Sequence, residues 1–292
     1  MTMTGQRMGS SPRSGSSGKT RGSTFVAMVR KEFTIMLRYP VEFVASFGQI
    51  FLIIAVLTVA GAMFSPNGLE NRGATASQTS GLVVYGFVLF MYLSDTLWAI
   101  GYNVRREQKQ GTLEQLYLSP ASKLASLSAR VTITLFWTGL LSVCAGLLMQ
   151  AMIGRLPFHN PLLGLYVLAM ALLGTFGTGF AFAAWTLRIK DTAETLANLF
   201  QFVFIVLCAP FFPFAALPAF LQPIVRLIPL SYGVDAFRAT MMGFPAGYPE
   251  LAPFGVELVI VTVFGMGMPA FGFWLYQRAE DRARRTGSLS EY

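Results

Sequence analysis

Charge is scarce in this sequence. Only 12% of its 292 residues are Asp, Glu, Lys or Arg, about half of the roughly 25% usual in a soluble domain. A chain so poor in charge cannot cover a water-facing surface, which excludes a disordered protein and an ordinary cytosolic enzyme. Its two cysteines, Cys144 and Cys208, sit inside apolar stretches. They exclude a disulfide scaffold and read as small packing residues. The single histidine, His159, precedes Asn160-Pro161 in a short connection and reads as a turn residue. One histidine leaves no His-Glu-x-x-His pattern, no paired metal ligands and no convincing base for a serine nucleophile, so no hydrolase or metalloprotease is expected. What remains is apolar: 54% hydrophobic residues, 26 of them Phe, and a mean hydropathy of +0.55. The sequence reads as an all-α integral membrane protein.

Residues 1–23 are rich in Ser, Gly and Thr, carry Arg7, Arg13, Lys19 and Arg21, and lack an apolar core before Phe25. They read as a disordered cytoplasmic tail rather than a cleavable signal. Gly15-Ser16-Ser17-Gly18-Lys19-Thr20 imitates a phosphate loop. Arg13 stands where that loop needs its first glycine, and no buried strand precedes it. No nucleotide site is expected in this chain.

Six stretches have the roughly 20 apolar residues that cross a bilayer as helix: about 41–64, 81–103, 130–153, 161–187, 196–217 and 254–276. An even number of spans puts both termini on one side. Of the 22 Lys and Arg residues, 18 fall in the segments sharing the side of the termini. The positive-inside rule places that side in the cytoplasm, in a cell membrane. The net charge of +8 is therefore a property of cytoplasmic loops and points to no nucleic acid. The expected organisation is a tail at 1–23, an amphipathic interfacial helix at 24–40, a six-span domain at 41–276 and a cytoplasmic tail at 277–292.

Two cytoplasmic pieces stand out. In residues 24–38, Phe25, Val29, Phe33 and Met36 share a helical face, while Arg30, Lys31, Thr34 and Arg38 share the other. Such a helix lies along the headgroups, its basic side toward anionic lipid or a partner, and Tyr39-Pro40 ends it. Glu32 falls within the apolar arc, either snorkelling to water or paired with a basic residue of the next cytoplasmic loop. After the second span, Gly111 interrupts the chain, Thr112 is an N-cap with Gln115 completing a capping box, and Glu114 suits the positive end of the helix dipole. Leu113, Leu116 and Tyr117 form one apolar face and Pro120 stops the element. A short capped helix showing an apolar knob below the membrane predicts docking onto another protein.

Asp95, in the second span, is the one ionisable group expected within the bilayer. There a carboxylate costs on the order of 2.5–3.5 kcal/mol, so it must face protein or water. A substrate contact, a proton relay, or a structural tie through Gln49, Asn198 or Gln201 would each account for it, the tie being favoured. Glu42 and Glu257 fall at span ends and call for no special account. The spacings Gly174/Thr178 and Thr175/Gly179 predict close helix contact in the fourth span.

Taken together, the sequence resembles the membrane subunits of type-2 ATP-binding-cassette (ABC) exporters. The likeness rests on Glu107, Gly111-Thr112-Leu113-Glu114-Gln115-Leu116 and Pro120 after the second of six spans. It rests also on Pro229-Leu230-Ser231-Tyr232-Gly233-Val234-Asp235-Ala236-Phe237-Arg238 before the last span, and on Lys31-Glu32 with Arg38-Tyr39-Pro40. It covers about residues 24–278. The resemblance implies a permease that pairs with a second permease, identical or not, and with two ABC ATPase subunits that bind ATP and Mg. It implies that 112–118 is the coupling helix and that the segment before the last span forms short re-entrant helices. Pro210, Pro213, Pro218, Pro223 and Pro229 agree with such a break, the simpler alternative being a kinked fifth span followed by an ordinary loop. Phe211, Phe212, Phe214 and Phe220 would form an outer gate. Apolar spans favour an amphiphilic cargo: a drug, an antibiotic or a lipid. The competing expectation is a self-sufficient secondary transporter using Asp95 as a proton or substrate site.

Overall fold

The computed structural model describes residues 81–96, 123–153, 156–186 and 193–285, with scattered helical positions between 26 and 56. Among the described residues every regular element is helical. These are α1 (Gly81–Thr96), α2 (Lys123–Ile153), α3 (Pro161–Thr186), α4 (Ala193–Leu207), α5 (Gln222–Val225), α6 (Pro229–Met242) and α7 (Phe254–Arg285), with a 3-10 turn at Phe214–Ala216. The segment around 112–118 lies outside the described residues.

α3 and α7 are long and apolar enough to cross a membrane, and they form the most extensive helix pair. Between apolar helices in lipid the hydrophobic effect supplies little drive, so close packing must hold them. The contact is made by glycines. A Cβ on Gly272 would stand 2.0 Å from the Gly177 carbonyl oxygen, and one on Gly265 would stand 2.6 Å from that of Met170. Of the positions expected to make close contact on α3, Gly174 does so, its added Cβ meeting Phe264; the second close approach is at Gly177, which the spacing did not name and where a Cβ would meet the Met268–Pro269 backbone. Below this crossing Phe180 is surrounded edge-on by Phe176, Phe273 and Tyr276. Each such aromatic pair adds about 0.5–1.5 kcal/mol to burial alone.

Two boundaries differ from the sequence reading. The fifth span ends at Leu207 instead of 217, because Pro210 and Pro213 cannot continue a helix and Ala209 takes a left-handed φ of 45°. The last helix continues to Arg285, through residues read as a tail, because Gln277–Arg285 holds no glycine or proline to stop it.

α6 is the centre of the assembly. Pro229 occupies its first turn, where no amide is required, and Gly243 closes it at φ 79°. Every residue from Leu230 to Met242 is buried. It is enclosed by α1, α3, α7 and the 208–217 turn. The core there joins Leu82 and Leu89 of α1, Val167 and Ala171 of α3, Val234 and Phe237 of α6, and Val261 of α7. By contrast Phe136, Leu140, Val143 and Leu147 form an exposed stripe along α2, and Val256, Val259, Val263 and Met266 another along α7. In water stripes of this length would drive aggregation.

Candidate functional site

The functional residues anticipated from sequence fall into three groups. Glu107, Gly111, Thr112, Leu113, Glu114, Leu116, Tyr117 and Pro120 lie outside the described residues, as do Lys31 and Glu32. Arg30 and Arg38 are helical and exposed, and Thr34 donates its hydroxyl to the Arg30 carbonyl at 2.7 Å. Phe33, on the expected apolar face, packs against Phe136 of α2 at 6.0 Å between ring centroids.

The second group surrounds Asp95. Thr138 of α2 donates its hydroxyl to Asp95 Oδ2, so the carboxylate ties α1 to α2. Thr138 was not among the residues singled out from sequence. Gln49 and Asn198 are exposed, and Gln201 donates to the neighbouring Ser94 Oγ at 2.9 Å. The reason is register: Tyr92 crosses Gly139, whose added Cβ would meet the phenol oxygen at 2.6 Å. That close approach brings residue 138 of α2 opposite residue 95 of α1.

The third group is the segment from Cys208 to Ala252. The four phenylalanines do not converge on one plug. Phe211 packs on Phe87 and Phe90 of α1, at 5.6 and 6.3 Å between centroids. Phe214 is buried with Ala209, Leu217 and Val225. Phe212 packs partly against that second cluster, and Phe220 is 71% exposed.

What organises this segment is a set of buried charges, and they correct the expectation that Asp95 is alone within the apolar interior. Arg238 is fully buried; its guanidinium donates to the carbonyls of Ala209 at 2.6 Å and Phe212 at 3.4 Å. These carbonyls follow the end of α4 and have no helical partner, so the cation satisfies them. Gly86 of α1 makes room: a Cβ there would stand 2.2 Å from the Pro210 oxygen and 2.3 Å from Arg238 Nη2. One turn earlier, Asp235 Oδ2 accepts the amides of Glu250 at 2.6 Å and Leu251 at 2.8 Å. Glu257 of α7 is fully buried and accepts the next amide, that of Ala252, at 3.2 Å. Glu250 caps the opposite side, its Oε2 accepting the Ala215 amide at 2.8 Å. Burial pushes the Asp235 carboxyl upward against the pull of its two amide bonds and of Arg238. Burial raises the Tyr248 phenol as well, with Glu250 beside it adding to the effect. Outside this network a cavity of about 350 Å³ opens between the 214–226 turns and residues 247–251.

Residues 64–274 match the ABC-2 family transporter protein family. The chain belongs to that family. It is the membrane component of an ABC transporter, and the family associates with an ABC ATPase subunit. No curated protein matches the chain. The exposed apolar stripes of α2 and α7 agree with a membrane-embedded protein.

Of the buried charges, Asp235 and Arg238 lie in the stretch that carried the family resemblance, where they served as a signature and not as a core. Glu257 was passed over as a span end. The signal was available: an Asp and an Arg at i and i+3 between two prolines, followed within 20 residues by a Glu on an apolar helix, is costly in a membrane unless the charges meet.

Proposed function

We propose that this chain is the six-span permease subunit of an ABC exporter, both termini in the cytoplasm of a cell membrane. It moves an amphiphilic cargo such as a drug, an antibiotic or a lipid outward. A second permease completes the pathway, and two ATPase subunits bind ATP and Mg and drive it. The element at 112–118 is the coupling helix on which those ATPases push, with Glu107 and Pro120 at its flanks.

The observation that carries this reading is the folded connection between α4 and α7. α6 has 14 residues, a rise of roughly 21 Å, short of the ~30 Å of a bilayer core. A chain that stops, turns at buried Ala209 and returns as a helix buried on all sides is behaving as a re-entrant pair. An ordinary external loop would not bury an Arg, an Asp and a Glu. Such a cap closes the outer end of the bundle, and Phe211 against Phe87 and Phe90 is the contact that must part for cargo to leave. Rigid-body movement of packed helices, imposed from the cytoplasmic side, is the motion that opens it. Asp95 holds α1 to α2 through Thr138, which supports a structural tie over a substrate or proton site.

The test is reconstitution in proteoliposomes with and without the co-purified ATPase. ATP-dependent movement of a lipophilic fluorescent cargo, absent without the ATPase, is the expected result. Movement driven by a proton gradient in the chain alone would replace this reading with a secondary transporter.

A further inference from the structure

Two carboxyl groups from different helices meet inside the connection. Asp235 of α6 and Glu257 of α7 are each 0% exposed. Each uses one oxygen to receive backbone amides: Oδ2 of Asp235 takes those of residues 250 and 251, and Oε1 of Glu257 takes that of 252. Three consecutive amides are thus drawn to two side chains. The remaining oxygens, Asp235 Oδ1 and Glu257 Oε2, are buried without a donor, and the two side chains are in hydrogen-bonding contact with each other. Two ionised carboxylates are acceptors only and would repel. One proton between them gives both orphan oxygens a partner.

We propose that Asp235 and Glu257 form a proton-binding site in which a single shared proton bridges Oδ1 and Oε2 and locks the 249–252 turn to both α6 and α7. The surrounding ionisable groups fit this stoichiometry. Arg238, one turn along α6, is held by the carbonyls of Ala209 and Phe212. Glu250 is committed to the Ala215 amide, and Tyr248 beside it is buried. Cys208 lies near Arg238 on the α4 side. α3, which also walls α6, has Tyr166 as its single titratable side chain, and that hydroxyl is bonded to Thr262. Tyr85 of α1, packed on Phe237, donates its hydroxyl to the Pro157 carbonyl. Arg238 Nε and the Tyr248 hydroxyl are buried donors near this site, and neither is hydrogen-bonded to a carboxyl oxygen of Asp235 or Glu257. The inference rests on packing within the connection and holds whatever the cargo or direction.

The sign of the pH effect follows from proton counting. At neutral pH an unfolded chain has released both carboxyl protons, whereas the closed connection keeps one. Closing therefore weakens as pH rises, by about tenfold per unit between the ordinary carboxyl range of the open chain and the closed site's own proton affinity, and levels off above it.

The test uses the full-length protein in lipid nanodiscs. Infrared absorption of protonated carboxyl groups, identified by their shift in heavy water, is compared among wild type, Asp235→Asn, Glu257→Gln and the double variant. Either amide replaces the shared proton with an N–H donor and keeps an oxygen for the backbone amides. Each single variant is expected to remove the same one band, and the double variant to remove nothing more. No loss in either single variant, or losses that add in the double, would overturn the proposal. A readout on unmodified protein stands beside it. Hydrogen-exchange protection of amides 250–252 should fall with rising pH in wild type and become flat in Glu257→Gln; a flat wild-type profile contradicts the shared proton.

Discussion

Single atoms decide what several positions tolerate. At Gly86 the absent side chain is what lets Arg238 cross to the turn after α4. Backbone of Pro210 stands on one side of the space and a fully buried guanidinium on the other, so neither can yield cheaply. Gly86→Ala should lower the midpoint of thermal unfolding in detergent well beyond the cost of ordinary overpacking, about 1–3 kcal/mol. Gly146→Ala, where an added Cβ meets nothing within 4 Å, should be neutral or gain up to roughly 1 kcal/mol from helix propensity. Asp95 makes the contrary case for a charge. Because Thr138 is the donor and the carboxylate only accepts, Asp95→Asn keeps an accepting oxygen and should retain transport at near wild-type rate. Complete loss in a normally assembled protein would return Asp95 to the transport pathway. The cost of Arg238 and Glu257 in a membrane was a signal in the sequence, but their partners were not legible there. A position on a helix shows its own face but not what arrives there from a distant turn, and their partners are backbone groups at 209, 212 and 252, which no residue type reveals.

Elements were easier to foresee where one force dominates. The fourth span emerges within a residue of its expected limits, the third keeps its expected end and the sixth its expected start, because long apolar helices satisfy their own backbone, as a bilayer demands. The fifth did not, since Cys208 to Leu217 is as apolar as a span. There hydropathy and proline chemistry oppose each other, and proline wins. Small-residue spacing on α3 identified Gly174 as a contact but missed Gly177 and the partner helix. The counterpart glycines on α7, Gly265 and Gly272, are interleaved with Gly267, where an added Cβ meets nothing within 4 Å. The α3–α7 crossing therefore has a pair of tests on one helix. Gly272→Leu should force the helices apart and cost several kcal/mol, read as loss of the folded species by size-exclusion and thermal unfolding. Gly267→Ala should leave both measurements unchanged.

At the scale of the whole molecule, two ends of a bundle do different work. The connection between α4 and α7 buries its charges, encloses α6 and packs Phe211 on Phe87 and Phe90, and in the proposed function it closes the outer end. On the proposed reading the cytoplasmic end carries the basic segments, including the stretch expected to form the N-terminal amphipathic helix and the expected coupling element at 112–118. In a bundle whose packed helices shift as bodies, a push at one end is transmitted to the other. Family membership was legible in the short motifs around Gly111–Pro120 and Pro229–Arg238, both of which fall within the matched residues 64–274. The most direct test is Leu113→Asp in the assembled complex, measuring cargo movement and ATP hydrolysis together in proteoliposomes. The account predicts normal insertion and yield, with ATP-driven transport and stimulation of the ATPase both lost. ATP-driven transport at the wild-type rate in that variant would contradict it.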